Sequence, residues 1–204
     1  MTNWVKNRDA FAQAAQWFTS VVAKATGRFD EPGLGEWSIG DLIGRTSRAL
    51  LTVESYLARP AATVEVRFAV EYFASILATG VDHSAIAQRG RDAAASLGDD
   101  PVASVQALVE RVLEVLRTTQ EDMLVTTPVG GMRLVDYLPT RTFELTVHTC
   151  DLACALGHTL DVPQLPAAQS LSIVSGLAIG AGNAGLLLLS TTGRQQLPFG
   201  FTVV

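Results

Sequence analysis

An all-α fold, most simply an antiparallel four-helix bundle with additional helices, is predicted by three observations. Apolar residues recur at three- and four-residue spacing along most of the chain, strand-like alternation is scarce, and helix-starting and helix-ending residues fall at the edges of the periodic segments. A chain of 204 residues suits one domain, taken as residues 1–204, with a core that needs neither disulfides nor a structural metal.

Each element follows from its own signals. Asn3 caps a first helix whose apolar positions Phe11, Ala14, Ala15, Phe18, Val21, Val22 and Ala25 form one stripe, ended by Gly27. A loop with Pro32, Gly33 and Gly35 leads to Trp37. Ser38 and Asp41 then make a capping-box spacing that opens a second helix with Leu42, Thr46, Ala49, Val53, Tyr56 and Leu57 inward, closed at Pro60. A third helix is expected from about Thr63 to Leu77 and a weaker fourth from about Asp82 to Leu97. Asp100 followed by Pro101 starts a fifth, with Val105, Leu108, Val109, Val112, Leu113 and Leu116 on its inner face. The segment Thr126–Met132 reads as a loop. A helix from Arg133 to Leu156 follows, interrupted by Pro139 and stopped by Gly157, and the tail from Gly193 reads as irregular.

From Val162 to Gly193 there is no charged side chain, and mean hydropathy is +0.27 for the whole chain. Leu171–Leu189 has the length of a membrane span, but it contains Ser172, Ser175, Asn183 and four glycines, and no cluster of cations flanks it. A buried helix of a soluble bundle is the better reading. The N-terminus lacks an apolar signal core, so the cytoplasm is expected. With 15 cations against 20 anions, no basic patch exists for nucleic acid. The preference for arginine over lysine fits a GC-rich genome of the actinobacterial type. A bundle with so little charge also suits a homodimer. Cys150 and Cys154 read as two small buried hydrophobes.

The residues with chemistry lie in TRTFELTVHTCDLACALG. Glu144 and His148 are one helical turn apart on one face, a spacing at which a carboxylate and an imidazole reach a single divalent ion. Arg141 precedes that face and Asp151 continues it, and both are candidates for holding a cofactor. His83 and His158 read as exposed helix-end residues, and Trp37 as an anchor for its loop.

The combination Trp37-Ser38-x-x-Asp41-Leu42 with Arg141-x-x-Glu144-x-x-x-His148-x-x-Asp151-Leu152 resembles the mycothiol-dependent maleylpyruvate isomerase-like proteins, part of the DinB-like group of helical bundles. The resemblance runs from about Trp37 to the C-terminus. It implies a divalent, zinc-like metal held by a histidine on the second helix and by Glu144 and His148. It also implies mycothiol, whose thiol the metal would activate, and a small electrophilic substrate. A thiolate that adds to an activated double bond, allows rotation and is then eliminated would isomerise it; thiol transfer is the related outcome. The tail leaves little room for the additional domain of the better-known isomerase, so maleylpyruvate itself is not the expected substrate.

The first metal ligand departs from the pattern. Arg45 stands where the family has histidine, and a guanidinium has no lone pair for a metal. The preferred expectation is that Arg45 pairs bidentately with Glu144 and replaces the metal. Otherwise His83, His158, Asp151 or water completes a weakened site. The functional expectation is a thiol-transfer or isomerase-type protein with a metal site impaired at Arg45; the alternative is a non-enzymatic, metal-free binding or regulatory bundle.

Overall fold

The computed structural model describes residues 3–80 and 83–204, except for the side chain of His83. Among the described residues there are eight helices and one two-stranded sheet, and the fold is all-α and DinB-like. The helices are α1 (Asn3–Ala23), α2 (Ile39–Leu57), α3 (Ala69–Ala78), α4 (His83–Ser96), α5 (Pro101–Thr118), α6 (Leu134–Ala155), α7 (Gln164–Gly180) and α8 (Ala184–Thr191). The central bundle is a ring in which α1 and α2 each pack on both α5 and α6; α4 lies against α2, and α7 against α6 and α1. The core joins the stripes expected on the first, second and fifth helices, with Phe11, Phe18, Leu42, Val53, Val105 and Val112 among its buried side chains, and adds Ile43 and Leu50 from a face of α2 outside the expected stripe.

Local chemistry sets the helix starts. Ser38 Oγ accepts from the Asp41 N–H at 3.1 Å, and Asp41 Oδ2 accepts from the Ser38 N–H at 3.0 Å, so the capping box forms and α2 begins at Ile39. Asp100 Oδ1 accepts from the Ala103 N–H at 3.0 Å, with Pro101 at the first helical position.

Four expectations are corrected. The third helix begins at Ala69 instead of Thr63, because the N–H groups of Glu65 and Val66 both donate to the Gly131 carbonyl, at 2.8 and 3.1 Å. That carbonyl belongs to an antiparallel hairpin, β1 (Leu124–Thr127) and β2 (Gly130–Arg133), in the segment read as a loop. The uncharged Leu171–Leu189 stretch is divided between α7 and α8. Gly182 adopts φ +74, and the Asn183 and Gly182 N–H groups close back on the Ala178 and Ile179 carbonyls at 2.7 and 3.0 Å, a Schellman ending. Nor is the stretch buried throughout: Ile173, Leu177 and Ala178 face the bundle, whereas Leu171, Ile179 and Leu188 are exposed. No helix among the described residues is long and apolar enough to cross a membrane.

The fourth correction is at Pro139, where α6 continues without a break. Proline has no N–H, so the Val135 carbonyl one turn earlier loses its helical donor. Asn7 of α1 supplies one: its Nδ2 donates to Val135 O at 2.8 Å, while its Oδ1 accepts from Gln169 Nε2 of α7 at 2.9 Å. One amide therefore mends α6 and ties three helices. Asn7→Ala should cost about 1 kcal/mol in urea unfolding, the order of one partly buried hydrogen bond. A loss within a few tenths of a kcal/mol would show that water replaces the amide.

Candidate functional site

The site lies where α6 faces α2. Glu144 and His148 are half-buried one turn apart, with Glu144 Oε2 3.0 Å from His148 Nε2. On the other side of the ring, Asp151 Oδ2 is 3.1 Å from His148 Nδ1. The imidazole thus lies between two carboxylates of its own helix. Arg45 approaches from α2, its Nε 3.4 Å from His148 Nε2.

The bidentate Arg45–Glu144 pair is not formed; the guanidinium is directed to the imidazole. Trp37 explains why, because the Arg45 guanidinium carbon lies 5.1 Å from the centre of the indole. The indole in turn packs on Gly90 of α4, where an added Cβ would fall 2.7 Å from the ring. Trp37 anchors its loop as expected and also carries Arg45. Among the described residues the Arg45 terminal nitrogens have no hydrogen-bond or ion-pair partner.

Arg141 is buried, 8% exposed, with its guanidinium carbon 5.5 and 5.1 Å from the rings of Tyr72 and Tyr137. Its Nη2 donates to Tyr72 Oη at 3.3 Å and its Nε to Thr140 Oγ1 at 3.0 Å. The structure therefore places this candidate cofactor residue inside the protein, where its charge acts on Glu144 from below. Asp151 orients His148 from the outer side. Of the other histidines, His158 follows the end of α6 and is exposed, and the His83 side chain lies outside the described residues. The cysteines differ from expectation: Cys150 is half-buried and Cys154 exposed, because the α6 end leaves that face uncovered.

Electrostatics follow from this arrangement. Burial would raise the Glu144 pKa, but the His148 hydrogen bond and the charges of Arg141, His148 and Arg45 outweigh it and hold the carboxyl down to about 2. Burial opposes the His148 imidazolium, but its hydrogen bonds to Asp151 and Glu144 prevail and raise its pKa. Charged, the ring donates to both carboxylates. Neutral, with its proton on Nδ1 toward Asp151, its Nε2 accepts from Arg45.

Residues 11–153 match the family described as the mycothiol maleylpyruvate isomerase N-terminal domain. The chain belongs to this family. No curated protein and no solved structure matches the chain. The metal that the family implies does not fit these residues. Glu144 and His148 supply two donors, position 45 supplies a cation, and Asp151 is committed to the Nδ1 side of the ring. No group of three or more His, Cys, Asp or Glu side chains among the described residues is placed to hold a metal ion.

Family membership could be read from the Trp37 and Glu144–His148 motifs. The supports of the two arginines could not, because Trp37, Gly90, Tyr72 and Tyr137 are brought to them only by the packing of separate helices.

The pH dependence of stability has a definite sign. The Glu144 contribution is full above its ordinary 4.5 and is lost as the pH falls toward about 2. The His148 contribution is full below its ordinary 6.5 and is lost as the pH rises through its elevated folded-state value. Urea unfolding of the native protein compared with His148→Gln should therefore show the largest difference between pH 4.5 and 6.5, shrinking on either side. A difference that grows from pH 6.5 upward would contradict the imidazolium assignment.

Proposed function

We propose that this family member is a thiol-handling protein, of thiol-transfer or isomerase type, in which Arg45 takes the place of the divalent metal. The observation that carries the reading is the position of the Arg45 guanidinium, beside His148 Nε2 with its terminal nitrogens unpartnered. Those N–H groups suit a sulfur anion, and a neighbouring cation lowers the pKa of a thiol. Neutral His148, held by Asp151 through Nδ1, would take the thiol proton on Nε2. The imidazolium so formed is stabilised by Glu144 and Asp151. The thiolate then attacks an electrophilic carbon of a small substrate. Addition to an activated double bond moves its π electrons onto the activating group as an enolate; rotation and expulsion of the thiolate give isomerisation, whereas return of the proton from His148 to the enolate carbon keeps the new carbon–sulfur bond and gives the thiol adduct. Mycothiol is the thiol that family membership favours.

A non-enzymatic, metal-free binding or regulatory bundle is the second reading. It is favoured by the self-sufficiency of the cluster, since both ring nitrogens of His148 already face carboxylates. Mycothiol separates the two. Under the first reading the native protein binds it, shifts its thiol toward thiolate by ultraviolet absorbance, and keeps this ability after chelator treatment. Arg45→Gln should weaken the effect about tenfold or more, as expected for loss of a charged hydrogen-bond donor. Native protein that holds no zinc after supplementation, together with an Arg45→His variant that gains one zinc per chain and loses it when His148→Ala is added, would support the replacement. Stoichiometric zinc bound through His148 in the native protein would overturn it. Absence of any thiol binding would leave the second reading.

A further inference from the structure

A second cluster of cations lies beside the first, and the reaction proposed above does not use it. Arg48, one turn beyond Arg45 on α2, and Arg89 on α4 line a surface hollow of about 660 Å³ between these helices. The helices meet very closely at its end. A Cβ on Gly44 would lie 2.5 Å from Ala94 Cα and would also run into the Ala94 backbone nitrogen, so only glycine permits the contact. That contact fixes one wall of the hollow against the other.

Neither guanidinium has a hydrogen-bond or ion-pair partner among the described residues, although two acids also line the hollow. Glu54 is already held by Arg111, with Nε–Oε1 and Nη2–Oε2 distances of 2.6 and 3.1 Å. Asp92 takes its hydrogen bond from Gln88 Nε2 at 2.7 Å. Glu54 is thus neutralised by Arg111, whereas the Gln88 amide leaves Asp92 its charge, and the two guanidiniums face the hollow with one positive charge in excess. Burial, and then the charge of Arg89, push the half-buried Arg48 below its ordinary pKa.

The hydroxyls of the hollow have spent their protons on their own helices. Thr52 Oγ1 donates to the Arg48 carbonyl at 2.8 Å, Ser55 Oγ to Thr52 O at 3.3 Å and Ser96 Oγ to Ala93 O at 2.7 Å. They can still accept hydrogen bonds but cannot donate to an anion, so that task falls to the arginines. Leu51 and Ala93 supply apolar surface.

We propose that this hollow is an oxyanion-binding site in which Arg48 and Arg89 together hold the carboxylate or phosphate group of a small molecule. Two planar guanidiniums on opposite walls suit a flat or tetrahedral oxyanion, which each can grip through paired N–H groups. The hydroxyl lone pairs of Thr52, Ser55 and Ser96 suit hydrogen-bond donors, such as alcohol groups, on the same ligand. The site goes beyond the thiol chemistry and does not depend on whether Arg45 replaces a metal.

Calorimetric titration of the full chain with inorganic phosphate and, separately, with malonate tests it, with sodium chloride at matched ionic strength as the reference. Saturable one-to-one binding is expected for at least one probe; phosphate identifies a phosphoryl head and malonate a carboxyl head. Arg48→Gln and Arg89→Gln should each weaken binding about tenfold or more. Arg91→Gln, on α4 but outside the hollow, should leave it unchanged. Arg89 is exposed, so its variant is free of folding effects. Failure of both probes to bind above the chloride reference, or equal binding by native protein and the Arg89 variant, would overturn the proposal.

Discussion

Helix α6 has to satisfy two demands that conflict at Pro139. It is packed against α1, α2, α3 and α7, so its carbonyls cannot all turn to water, yet it contains a residue that cannot donate to the helix. The hydrogen bond from Asn7 to the Val135 carbonyl resolves the conflict and keeps the helix unbroken through the core. Everything on its C-terminal half follows from that continuity. With a break at Pro139, Arg141, Glu144, His148 and Asp151 would not share one helical surface opposite α2.

Charge is the second organising feature. Charged residues make up only 17% of the chain, and several of them meet where α2 faces α6. Burial raises the pKa of a carboxylate without partners, whereas that of Glu144 is held low because Arg141 lies below it, His148 beside it and Arg45 across from it. A guanidinium carries positive charge without asking for ligands, and with Arg45 beside them Glu144 and His148 bond to each other.

What the sequence disclosed, and what it did not, divides along the range of the interactions. The capping box at Ser38–Asp41, the Asp100–Pro101 start and the shared face of Glu144 and His148 are set by residues within four positions of one another, so spacing alone reveals them. The late start of α3 depends on the Gly131 carbonyl, far along the chain, and the strands of the hairpin are too short to leave an alternating pattern. The α7–α8 boundary had a local signal in Ala181-Gly182-Asn183, hidden inside a run that hydropathy alone made continuous. Arg45 was recognisable as a departure from the family pattern, but its partner was not: the bidentate pair with Glu144 was the simpler electrostatic expectation, and stacking on Trp37 directs the side chain to His148 instead. The surroundings of Arg141 were hidden for a related reason, since a cation at a motif position gives no sign that two tyrosine rings enclose it.

Whether Arg45 stands in for a metal is seen most directly by anomalous X-ray diffraction at the zinc edge from crystals of the native chain grown in excess zinc. Arg45 is expected in density against Trp37 with its Nε next to His148, and no anomalous peak between Glu144 and His148. A zinc peak bonded to both residues, with the Arg45 side chain swung away from the imidazole, would contradict the account.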